Sequence, residues 1–138
     1  MIVYLDTSAV LRVLLRESEP LEIWGRWDTA YSSELLGVEA RRAIDRLRLQ
    51  DSLTDLDVAA LQRDLRQLEQ GLTVAPVSSA ILRRASLPMA TAVKTLDAIH
   101  LATAMLFRER RRADLAFATH DTRQATAARA LGFETVGT

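Results

Sequence analysis

Cysteine is absent from the 138 residues. That excludes disulfides and thiolate metal sites, and it fits a reducing cytoplasm, where we expect the protein to reside. Proline and glycine are scarce, three and five residues, and neither a low-complexity linker nor an internal repeat divides the chain. No sign of charge dominates: 18 Lys and Arg balance 18 Asp and Glu. Net charge therefore points to no particular partner, and contact with a nucleic acid would need a local basic patch. No apolar run approaches the roughly 20 residues of a membrane span, so no membrane partner is expected. The start, MIVYLDTS, has neither the basic beginning nor the long apolar core of a signal peptide, and reads as a strand that opens the fold at once.

What is present is enough for a folded domain. The length fits one domain over residues 1–138, large enough to bury a sizeable core. A hydrophobic fraction of 49% is ordinary for a globular protein and argues against disorder. Ile2 to Leu5 is a short apolar run that stops at Asp6-Thr7-Ser8, residues that favour helix N-caps. A helix to about Arg16 follows, and a second is expected from about Glu19 to Asp28, with Pro20 in its first turn. Thr29 to Ser33 reads as a strand, and Ser32 or Ser33 caps a helix to about Leu49. Thr54 starts another, with Leu61, Leu65 and Leu68 on one face and Gly71 as its stop. Leu72 to Val77 and Leu115 to Thr119 read as strands. Ser78 or Ser79 opens a short helix ending before Pro88. Thr95 opens a helix apolar nearly all round from Leu96 to Phe107, as a buried helix would be. Asp121 or Thr122 opens the last helix, Gly132 stops it, and Glu134 to Val136 is a final strand. This alternation predicts a parallel sheet covered on both faces, with ligands beyond the carboxyl ends of the strands.

Asp6 and Asp121 both stand just after a strand, at that edge. An acid there either caps the next helix, worth about 1 kcal/mol, or faces a ligand; for each, the two readings stand level. Asp97 opens the apolar helix among Leu96, Ala98, Ile99 and Leu101, where a carboxylate is costly unless paired or metal-bound. Glu39 lies about 70° from the apolar stripe of Leu36, Ala40, Ala43 and Leu47, where it passes for a solvated acid paired with Arg42. Together, carboxylates at the strand ends of one sheet would make a negative pocket for hard divalent ions, which prefer oxygen ligands and activate water against a phosphodiester. Such chemistry needs no cysteine or histidine. His100, one turn after Asp97, reads as a satisfied, partly buried histidine, and His120 as incidental. Thr7 is expected to cap its helix, and Ser8 and Thr119 to hydrogen-bond around the acids. The basic clusters Arg41, Arg42, Arg46, Arg48 and Arg108, Arg110, Arg111, Arg112 read as solvated faces.

The segments YLDTSAVLRVLL, SSELLGVEARRAI, KTLDAIHLATAM and FATHDTRQATAARALGFETV resemble, in order and over nearly the whole chain, the PIN-domain ribonucleases, specifically the VapC-type toxins of toxin–antitoxin pairs. The resemblance implies a three-layer α/β/α PIN-like domain with a central parallel sheet. It also implies Mg²⁺- or Mn²⁺-dependent endonucleolytic cleavage of RNA. Carried over by motif, the family's acids fall on Asp6, Glu39, Asp97 and Asp121, as catalytic and metal-binding residues. A homodimer and a cognate VapB-like antitoxin, whose arginine enters the acidic pocket, are implied as partners. The stretch between Asp97 and Asp121 is longer than in many relatives, with ERRRAD added around 109 to 114, which makes Asp114 a rival to Asp121; Asp121 is preferred because it follows its strand and belongs to T-x-D. A haloacid-dehalogenase phosphatase would want an acid where Ser8 stands, and a receiver domain would want a paired acid and a late lysine. A catalytically silent PIN-like binding or regulatory module is the alternative to the enzyme.

Overall fold

A computed structural model describes residues 1–138. The elements run β1 (Ile2–Leu5), α1 (Thr7–Leu14), β2 (Thr29–Ser33), α2 (Leu35–Leu49), α3 (Asp55–Gln70), β3 (Thr73–Ala75), α4 (Ser79–Ala85), α5 (Thr95–Arg111), β4 (Ala116–Ala118), α6 (Thr122–Ala130) and β5 (Glu134–Val136). The five strands form one sheet in the order β3-β2-β1-β4-β5, every pair parallel. The three-layer arrangement expected from the alternation is therefore present.

Strand periodicity of two explains the layers. Val3, Leu5, Ala30, Ala116 and Ala118 point to one face and pack with Ala9 and Val10 of α1 and Leu36 of α2. Tyr4, Tyr31 and Phe117 point to the other, against Leu101 and Ala104 of α5 and Ala127 and Ala128 of α6. The unbroken buried run Ala98–Ala104 shows that α5 is enclosed at its centre. Leu96 is an exception: it sits 46% exposed in the first turn.

The helix expected from Glu19 to Asp28 does not form. The segment is a series of turns, with Trp24 N–H donating to Leu21 C=O and Arg26 N–H to Ile23 C=O, and Gly25 at φ +76°. A glycine inside a helix costs about 1 kcal/mol. Here packing wins over helix geometry: Leu21 is buried, and Ile23, Trp24 and Trp27 lie against the β1–α1 core, the two indoles edge to face at 5.1 Å.

Capping follows the expectation at α3 and α4. Thr54 and Asp57 form a reciprocal capping box, and Ser78 accepts from Ile81 N–H. At α2 the cap residue is Glu34, whose side chain accepts from Val77 N–H instead, while Ser33 Oγ receives Leu35 N–H. Thr54→Ala is expected to cost about 1 kcal/mol, read as a lower urea midpoint with an unchanged m-value.

Most of the basic residues are solvated as expected, with Arg42, Arg46, Arg48, Arg110, Arg111 and Arg112 exposed, but several also make specific contacts. Arg108 lies 4.0 Å over the Phe133 ring and donates to Leu131 C=O, and Arg111 lies over Tyr31. Arg41 pairs with Glu69, and Arg42 and Arg48 with Asp45. No helix is long and apolar enough to cross a membrane.

Candidate functional site at the carboxyl edge of the sheet

The chain winds outward from β1 in one direction through β2 and β3, and in the other through β4 and β5. Open parallel sheets bind ligands at the carboxyl edge of such a reversal. Asp6 leaves β1 there and Thr119 to Asp121 leave β4 beside it, tied by Asp6 N–H donating to Ala118 C=O at 2.9 Å.

Asp6 is buried, 6% exposed, and its side chain makes no cap to α1. Its Oδ2 instead accepts from Thr119 Oγ1 at 2.7 Å and Ser8 Oγ at 2.9 Å, so both hydroxyls act as the sequence reading expected. Oδ1 faces His100 Nε2 at 3.7 Å. Thr7 was expected to cap its own helix. Its hydroxyl reaches across to Glu39 Oε1 at 2.8 Å instead, because β1 and β2 are adjacent and bring α1 and α2 together.

Glu39 is not a solvated acid paired with Arg42. Its side chain is 26% exposed, and Oε1 lies 2.6 Å from His100 Nε2. His100 is fully buried and bonds Glu39 rather than Asp97; its Nδ1 meets Tyr4 Oη at 2.7 Å. In the neutral ring Nε2–H donates to Glu39 and Nδ1 accepts from Tyr4; on protonation Nδ1–H donates to the same oxygen. Burial alone would lower the imidazole's pKa, but the Glu39 hydrogen bond and the charge of Asp6 outweigh it and raise it. Burial likewise works to raise the Glu39 carboxyl, yet His100 and Thr7 hold it below the usual range.

Asp97 lies in the first turn of α5. Burial pushes its carboxyl above the ordinary value, and the charges of Asp6 and Asp121 add to the lift, against the pull of His100. Gln124, buried in α6, donates from Nε2 to the Asp97 backbone carbonyl and so fixes this turn. Asp121 caps α6, its Oδ1 accepting from Arg123 and Gln124 N–H. Capping is thus one of its roles, and Oδ2 remains outside that cap. Asp97 and Asp121 share a cleft of about 250 Å³ with Lys94 and Arg123. Asp114 precedes β4 and lies at the opposite edge of the sheet.

The arrangement is graded rather than a closed cage. Glu39 and His100 are joined directly and through Thr7, with Asp6 Oδ1 3.7 Å from the His100 ring, while Asp97 and Asp121 line a common cleft. No three of the acidic or imidazole groups surround one point closely enough to form a ready metal cage. The donor set nevertheless fits Mg²⁺, which takes one or two carboxylates and keeps several waters. Asp6 Oδ1 and Asp121 Oδ2 accept no hydrogen bond within the protein.

Several residues here escaped the sequence reading. Tyr4 lies within the apolar run of β1 and Gln124 within α6, and neither carries a local signal of its own. Lys94 and Arg123 had a signal, one directly before T-L-D and the other two residues past Asp121, but lone surface cations are too common to stand out.

Known proteins with these features are consistent. The PIN domain family model matches residues 3–130. Ribonuclease VapC47 of Mycobacterium tuberculosis is 31% identical, the alignment covering 96% of this chain and 94% of that protein. Ribonuclease VapC45 from the same organism is 30% identical over 95% of this chain and 92% of its own. Among solved structures, FitAB bound to an IR36 DNA fragment superposes with a TM-score of 0.70 at 19% identity, covering 98% of this chain and 93% of that one. A toxin–antitoxin complex from Klebsiella pneumoniae gives 0.65 at 20% identity over 93% of both chains. With its acids at the carboxyl edge, its sheet order and a match running from β1 through α6, this chain belongs to the PIN-domain family and stands among the VapC ribonucleases.

Proposed function

We propose that the protein is a divalent-metal-dependent endoribonuclease, the toxin of a type II toxin–antitoxin pair, with Asp6, Glu39, Asp97 and Asp121 as its catalytic and metal-binding acids. The observation that carries the metal is geometric: Asp6 and Asp121 follow β1 and β4 at the carboxyl edge of the sheet, and Asp121 shares a cleft with Asp97. A carboxylate held up by burial and by neighbouring negative charges is one that a cation would relieve. A bound Mg²⁺ or Mn²⁺ supplies a Lewis acid and a water of lowered pKa at neutral pH.

The chain's own residues set the geometry. Ser8 and Thr119 hold Asp6 in one orientation through Oδ2, leaving Oδ1 without a hydrogen bond and beside the His100 ring. Gln124 steadies the backbone under Asp97. Glu39, locked by Thr7 and His100 through Oε1, presents Oε2, directly or through a water. Lys94 and Arg123, both exposed beside Asp97 and Asp121, receive the anionic phosphate and offset the repulsion the acids would exert on it. Water attacks the phosphorus in line, the P–O3′ bond breaks, and the products carry 5′-phosphate and 3′-hydroxyl ends.

The cognate partner is a VapB-like antitoxin that places an arginine among the acids, as charge complementarity favours, and the toxin forms a homodimer. The exposed leucines Leu82 and Leu87 and the first-turn Leu96 supply apolar surface for protein contact.

Sequencing RNA 5′ ends after expression of wild type and Asp97→Asn tests the reading directly. Defined cuts are expected with wild type alone. In vitro, a chelator should abolish cleavage and Mg²⁺ restore it; cleavage that persists in chelator defeats the metal. Arg123→Ala and Lys94→Ala should each weaken RNA binding and lower the slope of log affinity against log salt by roughly 0.7, the value for one single-strand phosphate contact.

A further inference from the structure

Tyr4 stands in β1, the central strand, where its side chain is fully buried and stacks on Phe117 with ring centroids 5.2 Å apart. Phenylalanine would serve that packing equally well. A buried phenol hydroxyl adds nothing to it and is costly without a partner. Its partner is His100 Nδ1 at 2.7 Å, on a ring that is itself fully buried. The other ring nitrogen, Nε2, lies 2.6 Å from Glu39 Oε1. Polar groups thus run in a line from the central strand to one of the acids, and only Glu39, at the end of the line, reaches solvent.

Such a line is demanding inside a protein, because every member must be paired. Apolar groups of the same shape would hold the core about as well. What the line provides is orientation. A histidine ring turns about a broad, roughly two-fold torsion, and a half-turn would put carbon atoms where the nitrogens are. A partner at Nδ1 leaves one placement. In it Nε2 faces Glu39, with Thr7 Oγ1 at 3.2 Å and Asp6 Oδ1 at 3.7 Å. This hold does not depend on the charge of the ring. Tyr4 donates to a bare Nδ1 or accepts from Nδ1–H, and Nε2 carries a hydrogen for Glu39 in both cases. Burial, and then the charge of Asp6, raise the Tyr4 pKa well above its ordinary value, so the phenol keeps its proton.

Glu39 needs such a hold. A free glutamate side chain has many rotamers, and fixing one costs entropy. With Oε1 taken by Thr7 and His100, Oε2 accepts no hydrogen bond within the protein and keeps one direction. The same ring also ties together the elements that carry or precede the acids: β1 through Tyr4, α2 through Glu39, and α5, where Asp97 lies one turn before it.

We propose that Tyr4 is a positioning residue of the metal site: its hydroxyl fixes the His100 ring, the ring fixes Glu39 Oε1, and Glu39 thereby presents Oε2 to the cation. This role rests on the metal-dependent ribonuclease reading, in which Glu39 serves the cation.

Tyr4→Phe removes one oxygen and leaves the ring stack in place. Mn²⁺ affinity, by calorimetry, should fall roughly tenfold, the lower end of what hydrogen-bond partners of metal ligands show. The cleavage rate at limiting Mn²⁺ should fall with it, while KM for RNA is unchanged. In metal-free protein, the His100 Nε2–H proton should give a resolved NMR signal in wild type and broaden in Tyr4→Phe as the ring turns. A double-mutant cycle separates positioning from general loosening of the core. In a Glu39→Ala background, Tyr4→Phe should leave the remaining Mn²⁺ affinity as it was. Wild-type affinity in Tyr4→Phe, or an equal fall in both backgrounds, overturns the assignment. Should Tyr4→Phe not fold, Tyr4→Phe/His100→Phe strands neither the hydroxyl nor a ring nitrogen. It should show the same loss of affinity, and wild-type affinity there overturns the assignment as well. If wild type neither binds Mn²⁺ nor cuts RNA, the ribonuclease reading fails. The His100 signal then decides the grip of Tyr4 by itself, and a signal unchanged in Tyr4→Phe overturns it.

Discussion

Asp6→Asn should leave the protein folded and reduce metal-dependent RNA cleavage by about 10³-fold or more. The substitution is isosteric, and the asparagine oxygen can still accept from Ser8 and Thr119, which hold the native Oδ2. What is lost is a negative charge on the side chain that lies deepest among the acids. If the cation contributes several kcal/mol of transition-state stabilisation, losing about 4 kcal/mol of it is a factor of roughly 10³. Two measurements make the outcome specific. Divalent-ion affinity by calorimetry should fall together with the rate, and the melting temperature should stay within a few degrees. Full cleavage by a folded Asp6→Asn protein would falsify the assignment of Asp6. Asp121→Asn is a useful companion, since asparagine caps a helix about as well as aspartate. Loss of metal binding without loss of stability would separate its two roles.

The largest expected effect on stability is at His100. Its imidazole is enclosed between Tyr4 and Glu39, and Tyr4 itself is fully buried. His100→Ala would strand the Tyr4 hydroxyl, at about 1–3 kcal/mol, and leave a cavity of ring size, at a further few kcal/mol. We expect a total near 4 kcal/mol and a melting temperature lower by more than about 10 °C. A loss under about 1 kcal/mol would show that the network is not a stabilising feature.

The pH dependence of the same contact has a definite sign. The folded-state pKa of His100 is raised, so its contribution is full below the unfolded value and fades as pH climbs through the folded one. That of Glu39 is lowered, so its contribution is present above the unfolded value and fades as pH falls through the folded one. In metal-free buffer, the stability gap between wild type and His100→Ala should therefore narrow on going from about pH 6 to about pH 9. A gap that widens over that range contradicts the pairing.

Much of this site could be read from one dimension. Asp6, Asp97 and Asp121 each sit at a junction marked by a local signal: a strand ending, a helix beginning, an acid where apolar neighbours make it conspicuous. The five strands and most helices carry equally local marks, such as the Thr54 capping box or the apolar run of α5. Glu39 had none. Its helix position alone describes an exposed acid, and only the motif resemblance set it beside the others.

The departures share a cause. Residues 19–28 have a plausible helical pattern, yet two tryptophans and Leu21 gain more from the flank of the sheet than Gly25 allows a helix to return. Thr7 looked like a cap, and Arg108 like a solvated charge. Each found a partner more than 20 residues away in the chain, in Glu39 and Phe133.

Local propensity and periodicity, which depend on neighbours within a few positions, are written into the order of residues. They set the strands, the helices and the edge at which the acids lie. The pairing of His100 with Glu39 and Tyr4 and the grip of Ser8 and Thr119 on Asp6 depend on strand order. Placing β1 between β2 and β4 brings positions 4, 6, 39, 100 and 119 together. Side-chain hydrogen bonds reach only about 3 Å, so which of them form is decided by that packing.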